Sequence, residues 1–332
     1  MIPAIVICGT TASGKTDLAL QLAEVLSKTT LISADSRHVY KNMTIGTGKD
    51  IPKGWEQNAA VFGSIYLTYY ANKNTRLWLY DMTDPSDSTW SVQSLYAACD
   101  VLSQNYLIPK KIMPVIVGGD GFYIRGLLEP YESMQIPPDT EWRTHAEKLS
   151  VQELQTLLQS ENSVIFDNSN MSDRKNPRRL IRAIERARYL RTHEHTKTIQ
   201  PLFGPVLYIG LTCSSLTELQ SAIEQRVRQR ITQGMVEETT ALMAKYPDWS
   251  APAFTATGYR EVRAYIEKKI SLEDAIAQWT LREFQYAKRQ LTWFRKNKNV
   301  RWFTTDDLKH KNTAIVEMVK NWYDEHYAAT QS

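Results

Sequence analysis

Short apolar runs recur along the chain, and each is followed by residues typical of turns. These runs occupy residues 5–7, 31–32, 77–80, 115–117 and 206–211. Several are separated by helical patterns such as DLALQLAEVLS, in which Leu18, Leu22 and Leu26 share one stripe. Strands that alternate with helices predict an α/β fold, with a parallel sheet covered by helices on both faces.

The alternation stops between about residues 131 and 191. This stretch contains IPPDTEW and then reads helical through VQELQTLLQS and NPRRLIRAIERARYL. The polar linker THEHTKTIQP follows, and from residue 214 onward the chain reads helical up to a polar tail. We therefore expect a core made of residues 1–130 and 196–332, with a helical insertion at 131–195.

Composition is that of an ordinary soluble globular protein, with 42% hydrophobic and 23% charged residues in a chain of 332. The net charge of +4 permits a polyanionic partner without requiring one. Three cysteines without CxxC spacing suggest neither a disulfide framework nor a zinc site. No apolar run approaches the roughly 20 residues of a membrane span, and no basic segment precedes the first run. We expect a cytoplasmic protein with no membrane association.

A phosphate-binding loop follows the first apolar run. Gly9, Gly14, Lys15 and Thr16 fit the pattern G-x-x-x-x-G-K-[ST] between a predicted strand and a predicted helix. Backbone N–H groups and the helix N-terminus bind phosphate oxygens there, Lys15 adds a positive charge, and the Thr16 hydroxyl can ligate Mg²⁺. The loop alone leaves a kinase, a hydrolase and a transferase that releases pyrophosphate open.

Three aspartates follow predicted strands, and their roles differ. Asp81 and Asp120 are candidates for the acidic residue of a nucleotide hydrolase, although aspartates also begin turns. Asp35, in ISADSRHVY, lies where open parallel sheets bind their ligands. A carboxylate there can accept a proton from a substrate amine or hydroxyl, or it can simply cap a turn.

Arginines form a stripe on the last predicted helix of the insertion. Arg178, Arg182 and Arg186 recur at i, i+4 and i+8. Such a stripe can follow the phosphates of an RNA stem or loop, or it can be a solvated face paired with glutamates. In the later run AKRQLTWFRKNKNVRWF, cations alternate with aromatics, and we expect Trp293 and Phe294 to lie in the core.

Seven motifs in order resemble those of the bacterial tRNA dimethylallyltransferases, also called tRNA isopentenyltransferases. GTTASGKT corresponds to the family's GPTASGKT, ISADSRHVY to ISADSRQVY, and GGDGFY to GGTGLY. The other four are RRLIRAIE, QGMVEE, ATGYREV and AKRQLTWFR. Together they extend over most of the chain.

The resemblance implies a P-loop NTPase-like core, a parallel sheet flanked by helices, with a helical insertion domain. It implies transfer of a dimethylallyl group from dimethylallyl diphosphate to the exocyclic amine of an adenine. That adenine lies 3′ of the anticodon in tRNAs reading codons that begin with U, and pyrophosphate leaves. Mg²⁺ is the implied cofactor, the tRNA anticodon stem-loop the implied partner, and we expect a monomer.

Three alternatives differ in their acceptor or their chemistry. Relatives that prenylate free adenine nucleotides would not need the arginine stripe or the insertion. A P-loop kinase of a small metabolite or nucleotide predicts ATP turnover. A non-catalytic RNA-binding protein on the same fold predicts tRNA binding that is indifferent to the prenyl donor.

The resemblance also assigns residues. The catalytic pair is Asp35, as general base, and Thr11, close to both substrates. The diphosphate-binding residues are Gly9, Thr10, Thr11, Ala12, Ser13, Gly14, Lys15, Thr16 and Arg226, with Thr16 also binding Mg²⁺. The tRNA-binding residues are Asp35, Ser36, Arg37, His38, Asp120, Arg143, Arg178, Arg179, Leu180, Ile181, Arg182, Thr255, Ala256, Thr257, Gly258, Tyr259 and Arg260.

Four departures from the family pattern concern the same region of the predicted site. Asp120 replaces the threonine of GGTG, GTAKP is GTGKD here, and HHLID is replaced by RLWLYDM. Upstream of QGMVEE the family usually has two arginines, and Ala222 stands at the first position. Either Arg226 or Arg230 then substitutes for the missing arginine, or the donor binds more weakly.

Overall fold

A computed structural model of the protein describes residues 1–87, 90–193 and 198–328. The middle of the polar linker, the expected domain boundary at 195–196 and the end of the polar tail lie outside the described residues. The chain divides into two compact units: Met1–Leu128 with Pro201–Ser332, and Glu129–Gln200. We call the first the sheet unit and the second the helical unit.

A mixed, mostly parallel sheet organises the sheet unit. Within the described residues its eight strands are β1 (Ile2–Gly9), β2 (Thr29–Ser33), β3 (Glu56–Phe62), β4 (Ile65–Ala71), β5 (Arg76–Trp78), β6 (Met113–Val117), β7 (Phe203–Thr212) and β8 (Val300–Thr304). Their order is β3-β4-β5-β2-β6-β1-β7-β8, antiparallel only at β3–β4 and β4–β5. The predicted α/β fold class is confirmed.

Helices connect the strands and form the helical unit. In chain order they are α1 (Lys15–Val25), α2 (Val92–Leu102), α3 (Ile108–Lys110), α4 (Gly121–Leu128), α5 (Thr140–Ala146), α6 (Val151–Glu161), α7 (Ser163–Asp167), α8 (Met171–Arg174), α9 (Pro177–Thr192), α10 (Leu216–Thr232), α11 (Met235–Lys245), α12 (Tyr259–Ile266), α13 (Leu272–Phe294), α14 (Thr305–His310) and α15 (Asn312–Ala328). Ser103–Leu107 is a π-helix, and Glu132–Gln135 and Pro252–Thr255 are 3₁₀ helices. No helix among these is long and apolar enough to cross a membrane.

Apolar side chains from the predicted strands and from α1 form the core beneath the sheet. Leu18, Leu22 and Leu26 of α1 are at most 4% exposed and pack in one cluster with Ile5 and Ile7 of β1. Each fully buried side chain of this kind contributes about 1.5–3 kcal/mol. This packing holds the loop between β1 and α1 against the end of the sheet.

Three predictions from the apolar pattern are wrong. The hairpin β3–β4 was not predicted, because most of its β3 side chains are exposed and show no apolar alternation. Strand β8 lies in the stretch expected to be helical, and its short run begins a few residues after the amphipathic pattern of α13 ends. Phe294 is buried as expected, but Trp293 is 39% exposed.

The helical unit has a hydrophobic core of its own. Trp142 of α5, Leu154 and Leu158 of α6, and Leu180 and Ile184 of α9 pack together. The N-terminus of α6 is fixed by Ser150 and Glu153 in a reciprocal capping box. The helical pattern predicted for this stretch is therefore present, and α9 carries its buried stripe on one face and arginines on the other.

Candidate active site

Three neighbouring strands end together at one edge of the sheet. The Gly118 N–H donates to the Ile7 carbonyl at 3.1 Å, and the Ala34 N–H donates to the Val117 carbonyl at 2.8 Å. Because β2, β6 and β1 are adjacent, the segments that follow them carry Asp35, Asp120 and the loop 9–16 to the same edge. This is where open α/β sheets bind their ligands.

The phosphate loop is held in its bent shape by its own backbone. Gly9 has a φ of +130°, and a Cβ there would lie 1.9 Å from the Leu211 carbonyl oxygen, so only glycine fits. The carbonyl of Thr10 accepts hydrogen bonds from Ser13 Oγ at 2.7 Å and from Lys15 Nζ at 2.5 Å. The loop leads directly into α1, whose N-terminal N–H groups are suited to a phosphate.

Thr11 links the loop to two distant helices. Its N–H donates to Gln290 Oε1 at 2.9 Å and its hydroxyl to Glu283 Oε1 at 3.1 Å, both on α13. Arg226 Nη1 of α10 donates to the same hydroxyl oxygen at 3.1 Å. Gln290 also donates to the Gly119 carbonyl at 2.9 Å, which joins the loop to the segment after β6.

The sequence prediction missed Gln290 and Glu283. Gln290 lies within AKRQLTWFR, so the motif match was a signal, and it is a glutamine that is only 5% exposed. Arg226 is at the loop, as predicted. Arg230, one turn further along α10, is 5% exposed and donates to the Gly46 carbonyl at 3.3 Å.

Two cations meet at the loop with incomplete neutralisation. Burial first, and then the charge of Arg226, lower the pKa of Lys15 to about 8. The carboxylates of Asp35 and Asp50 act in the opposite direction, and Asp50 forms an ion pair with Arg226. A site of this charge favours an anion with several oxygens.

Asp35 holds its own turn through one carboxylate oxygen. Its Oδ1 accepts the Arg37 N–H at 2.8 Å, and no hydrogen bond among the described residues uses Oδ2. Arg37 extends to Thr255, whose Oγ1 lies 3.0 Å from Nη2, so the structure joins two of the predicted tRNA-binding segments. His38 instead contacts Ser33 through Nδ1 at 3.0 Å, and burial lowers its pKa.

Asp120 begins α4 and faces the segment after β2. Its Oδ1 accepts the N–H groups of Phe122 at 3.1 Å and Tyr123 at 3.4 Å. Burial and the charge of Asp35 raise the pKa of Asp120, while hydrogen bonds from Ser36 and from these N–H groups act against that rise. The departure from threonine thus puts a second carboxyl group next to Asp35.

Within 255–260, only part of the predicted tRNA-binding set is accessible. Ala256, Gly258 and Tyr259 are buried, and the Tyr259 hydroxyl donates to Glu238 Oε1 at 2.7 Å. Thr257 donates to Glu283, the same carboxylate that accepts from Thr11. Arg260 is exposed.

In the helical unit, a buried glutamate organises the predicted arginines. Glu185 is 4% exposed and accepts from Arg143 Nε at 2.7 Å and from Arg182 Nη1 at 2.9 Å. Arg179 pairs with Asp173. The exposed arginines Arg178 and Arg186 form no ion pair within the described part of the chain.

Two further members of the predicted tRNA-binding set point inward. Leu180 is 1% and Ile181 6% exposed, and both belong to the core of the helical unit. They are adjacent on α9 and pack in the same core, so a rotation of the helix that exposed one would also disturb the packing of the other. Their side chains therefore support the helix and do not contact a ligand.

Asp81 is not the acid of a nucleotide site. It pairs with Lys49, whose side chain is fully buried, and accepts from the Tyr70 hydroxyl at 2.7 Å. Lys49 also donates to the Tyr40 carbonyl at 2.7 Å. Because all of these partners fix Asp81 in the interior, it stabilises the segment after β2 and does not serve the loop.

The residues at the loop fit Mg²⁺ only together with a substrate. No group of three or more His, Cys, Asp or Glu side chains suited to a metal occurs among the described residues. The Thr16 hydroxyl makes no hydrogen bond there, so it is available as a ligand. Mg²⁺ commonly binds one or two protein oxygens, substrate phosphates and water, which this arrangement allows.

This chain is similar in sequence and in fold to tRNA-modifying transferases. The IPP transferase family model matches residues 38–297. The tRNA dimethylallyltransferase of Crocosphaera subtropica is 33% identical over 303 residues, 91% of each chain. The crystal structure of the tRNA isopentenylpyrophosphate transferase of Bacillus halodurans has a TM-score of 0.66 and 27% identity, and the match covers 100% of both chains. A eukaryotic dimethylallyltransferase acting on tRNA shares the fold, with a TM-score of 0.72 and 20% identity over 94% of this chain and 76% of that one.

Proposed function

The chain belongs to the IPP transferase family, and on that premise we propose that it transfers a dimethylallyl group from dimethylallyl diphosphate to tRNA. The acceptor is the exocyclic amine of the adenine 3′ of the anticodon in tRNAs reading codons that begin with U. Pyrophosphate is released. The observation that carries the proposal is one sheet edge that bears a phosphate loop, tied to Arg226 through Thr11, and the carboxylate of Asp35 two strands away.

The loop and its cations act on the leaving group. Backbone N–H groups of the loop, the N-terminus of α1, Lys15 and Arg226 bind the diphosphate. As the carbon–oxygen bond breaks, they stabilise the negative charge that develops on pyrophosphate. Thr16 would hold Mg²⁺, which would supply further charge neutralisation when bound. Gln290 and Glu283 keep Thr11 in place.

Asp35 acts on the acceptor. An aryl amine is a poor nucleophile because its lone pair is delocalised into the ring. With Oδ1 occupied by the Arg37 N–H, Oδ2 is available to accept the amine proton as the new carbon–nitrogen bond forms. Asp35 therefore orients the amine and removes its proton, and the dimethylallyl carbon is attacked as pyrophosphate departs.

The tRNA supplies an adenine that must leave its stack to react. Arg37, whose guanidinium donates to Thr255 and whose N–H donates to Asp35, is close enough to the general base to contact the tRNA there. Arg178 and Arg186 present unpaired charges suited to the phosphates of an anticodon arm. We place the enzyme in the cytoplasm, where its substrate is, and expect it to act as a monomer. The kinase alternative is not favoured, since the relatives are tRNA-modifying transferases and Asp81 is bound to Lys49.

The test is a reaction with unmodified tRNA, dimethylallyl diphosphate and Mg²⁺, followed by mass spectrometry of the digested nucleosides. We expect isopentenyladenosine from the wild type and at least about a 100-fold loss of rate in Asp35→Asn, with tRNA binding retained. Asp324→Asn, which removes an exposed charge on α15, serves as the control. ATP consumption without any prenylated nucleoside would refute the proposal and favour a kinase.

A further inference from the structure

Asp50 shares Arg226 with the phosphate loop. Arg226 Nη2 donates to Asp50 Oδ2, while Nη1 of the same guanidinium donates to Thr11 Oγ1 at 3.1 Å. The side chain of Asp50 is 48% exposed and that of Arg226 25% exposed, so both are open to an arriving ligand. One guanidinium thus faces the loop on one side and a carboxylate on the other.

The segment that leads to Asp50 is held in place by contacts with Glu238 and Asp81. Glu238 accepts the N–H groups of residues 44–46 at 2.8–3.1 Å. Next to Asp50, Lys49 is fully buried and bound to Asp81. The carboxylate of Asp50 therefore does not hang on a loose loop but is presented to Arg226 by a structured segment.

Gly48 gives the arginines room in the same segment. Its φ is +66°, in the region that favours glycine. A Cβ at this position would lie 1.9 Å from Arg230 Nη2 and 2.8 Å from Arg226 Nη2, so a side chain would clash with both guanidinium groups. Gly48 and Asp50 are the two positions at which GTGKD departs from the pattern GTAKP. Both departures therefore touch the guanidinium groups of α10, on the helix where Ala222 stands at the position of a missing arginine.

The charges at this place oppose a second anion. Burial lowers the pKa of Lys15 and of Arg230, and the nearby carboxylate of Asp50 acts against that lowering at both. A diphosphate bound by the loop would meet the same three cations and would have Asp50 as a neighbour of like charge. To contact all three cations, the diphosphate must displace Asp50 from Arg226.

From these contacts we propose that Asp50 competes with the donor diphosphate for Arg226. It neutralises Arg226 when the loop holds no phosphate, yields the guanidinium when the donor binds, and takes it back when pyrophosphate leaves. Asp50 thereby weakens donor and product binding together and favours product release. The inference rests on the diphosphate site of the proposed function.

Titration calorimetry with inorganic pyrophosphate, with and without Mg²⁺, tests this directly. We expect Asp50→Asn to bind pyrophosphate about three- to tenfold more tightly than the wild type. Asp324→Asn should be unchanged, and thermal melting should show that both variants are folded. In an Arg226→Ala background, Asp50→Asn should increase the pyrophosphate affinity much less, because the arginine for which the two compete is absent. Product inhibition by pyrophosphate should strengthen in Asp50→Asn.

The possible outcomes separate the two claims. A wild type that binds no pyrophosphate contradicts the diphosphate site itself. A wild type that binds it while folded Asp50→Asn binds with equal or lower affinity overturns the competitor role. Weaker binding by Asp50→Asn only when Mg²⁺ is present would make Asp50 a metal ligand instead. A gain that persists in full without Arg226 would reduce its role to general charge repulsion, which also overturns the competition.

Discussion

Lys15 and Arg226 are two like charges that share the small volume around Thr11. Arg226 contacts the Thr11 hydroxyl at 3.1 Å and, after burial, is the main cause that lowers the pKa of Lys15 to about 8. An arriving diphosphate relieves this repulsion and stabilises the protonated ammonium. The pKa of Lys15 must therefore be higher in the bound state than in the free protein.

We expect the affinity for pyrophosphate to fall as the pH rises through 8, because free Lys15 loses its proton there while bound Lys15 keeps it. Binding at pH 8 should take up protons at Lys15. Titration calorimetry in two buffers of different ionisation enthalpy measures the net uptake. Pyrophosphate itself also exchanges protons on binding, and Lys15→Arg controls for this because its guanidinium stays charged. The difference in proton uptake between wild type and Lys15→Arg is therefore the contribution of Lys15. Identical proton uptake by the two would contradict the prediction.

At the scale of elements, α13 acts as a brace for the loop. Gln290 and Glu283 are seven residues apart, two turns of one face, and both contact Thr11. Gln290 alone joins the Thr11 N–H to the Gly119 carbonyl. Gln290 contacts only backbone atoms of the segments after β1 and β6, so this link does not depend on a side chain of the loop.

Gln290→Ala should lower kcat/KM for the donor about 10- to 100-fold, because a misplaced loop loses transition-state contacts. The unfolding free energy should fall by about 1–3 kcal/mol, since two buried groups lose their partner. Steady-state kinetics and denaturant unfolding measure the two effects. Gln278→Ala, at an exposed position of the same helix, is the control. Unchanged kinetics in folded Gln290→Ala would exclude the bracing role.

Elements with a strong apolar period were predictable, and those without one were not. The strand around Ile5–Ile7 and the stripe of Leu18, Leu22 and Leu26 are buried, and their apolar pattern alone predicts this. Strand β3 lies at the sheet edge with mostly exposed side chains. Strand β8 is short and begins soon after the amphipathic helix α13. Their pairing is imposed by neighbours, which a local pattern does not contain.

At the scale of the whole molecule, the site is assembled from segments far apart in the chain. The loop and Asp35 follow strands within short motifs and were predicted from them. Thr11, however, contacts residues 215, 272 and 279 positions away, at Arg226, Glu283 and Gln290. No spacing rule relates such residues, so Glu283 and Gln290 were missed. The sequence marks Asp50 only as a departure from the family pattern, and its ion pair with Arg226 depends on the fold.

The helical unit is inserted between two segments of the sheet unit that lie next to each other. The sheet unit ends at Leu128 and resumes at Pro201, and the Leu202 N–H donates to the Leu127 carbonyl at 3.3 Å. The two ends of the insertion are therefore adjacent. The sheet unit contains the whole phosphate loop and its partners, whereas the helical unit has a separate core.

Replacing residues 129–200 by a short glycine–serine linker should leave pyrophosphate affinity within about threefold of the full-length value, because no loop contact is removed. Affinity for tRNA should fall by at least about 100-fold, since the phosphate contacts proposed for Arg178 and Arg186 would be lost. Calorimetry and filter binding at fixed salt measure the two. A shortened protein that retains full tRNA affinity would show that the helical unit is dispensable for recognition.

The position of β1 in the sheet has a consequence for how the protein is made. This strand is the first to be synthesised, yet its neighbours are β6 and β7, and β7 ends at Thr212. At about 5–20 residues per second, the ribosome needs roughly 10–40 s to deliver the second neighbour. Through that interval the apolar segment IPAIVICG has an open side in the nascent chain, while the helical unit can already bury its own core. Pairing of β1 with β7 is thus a late step of biogenesis, and until then one edge of β1 has no partner strand in the nascent chain.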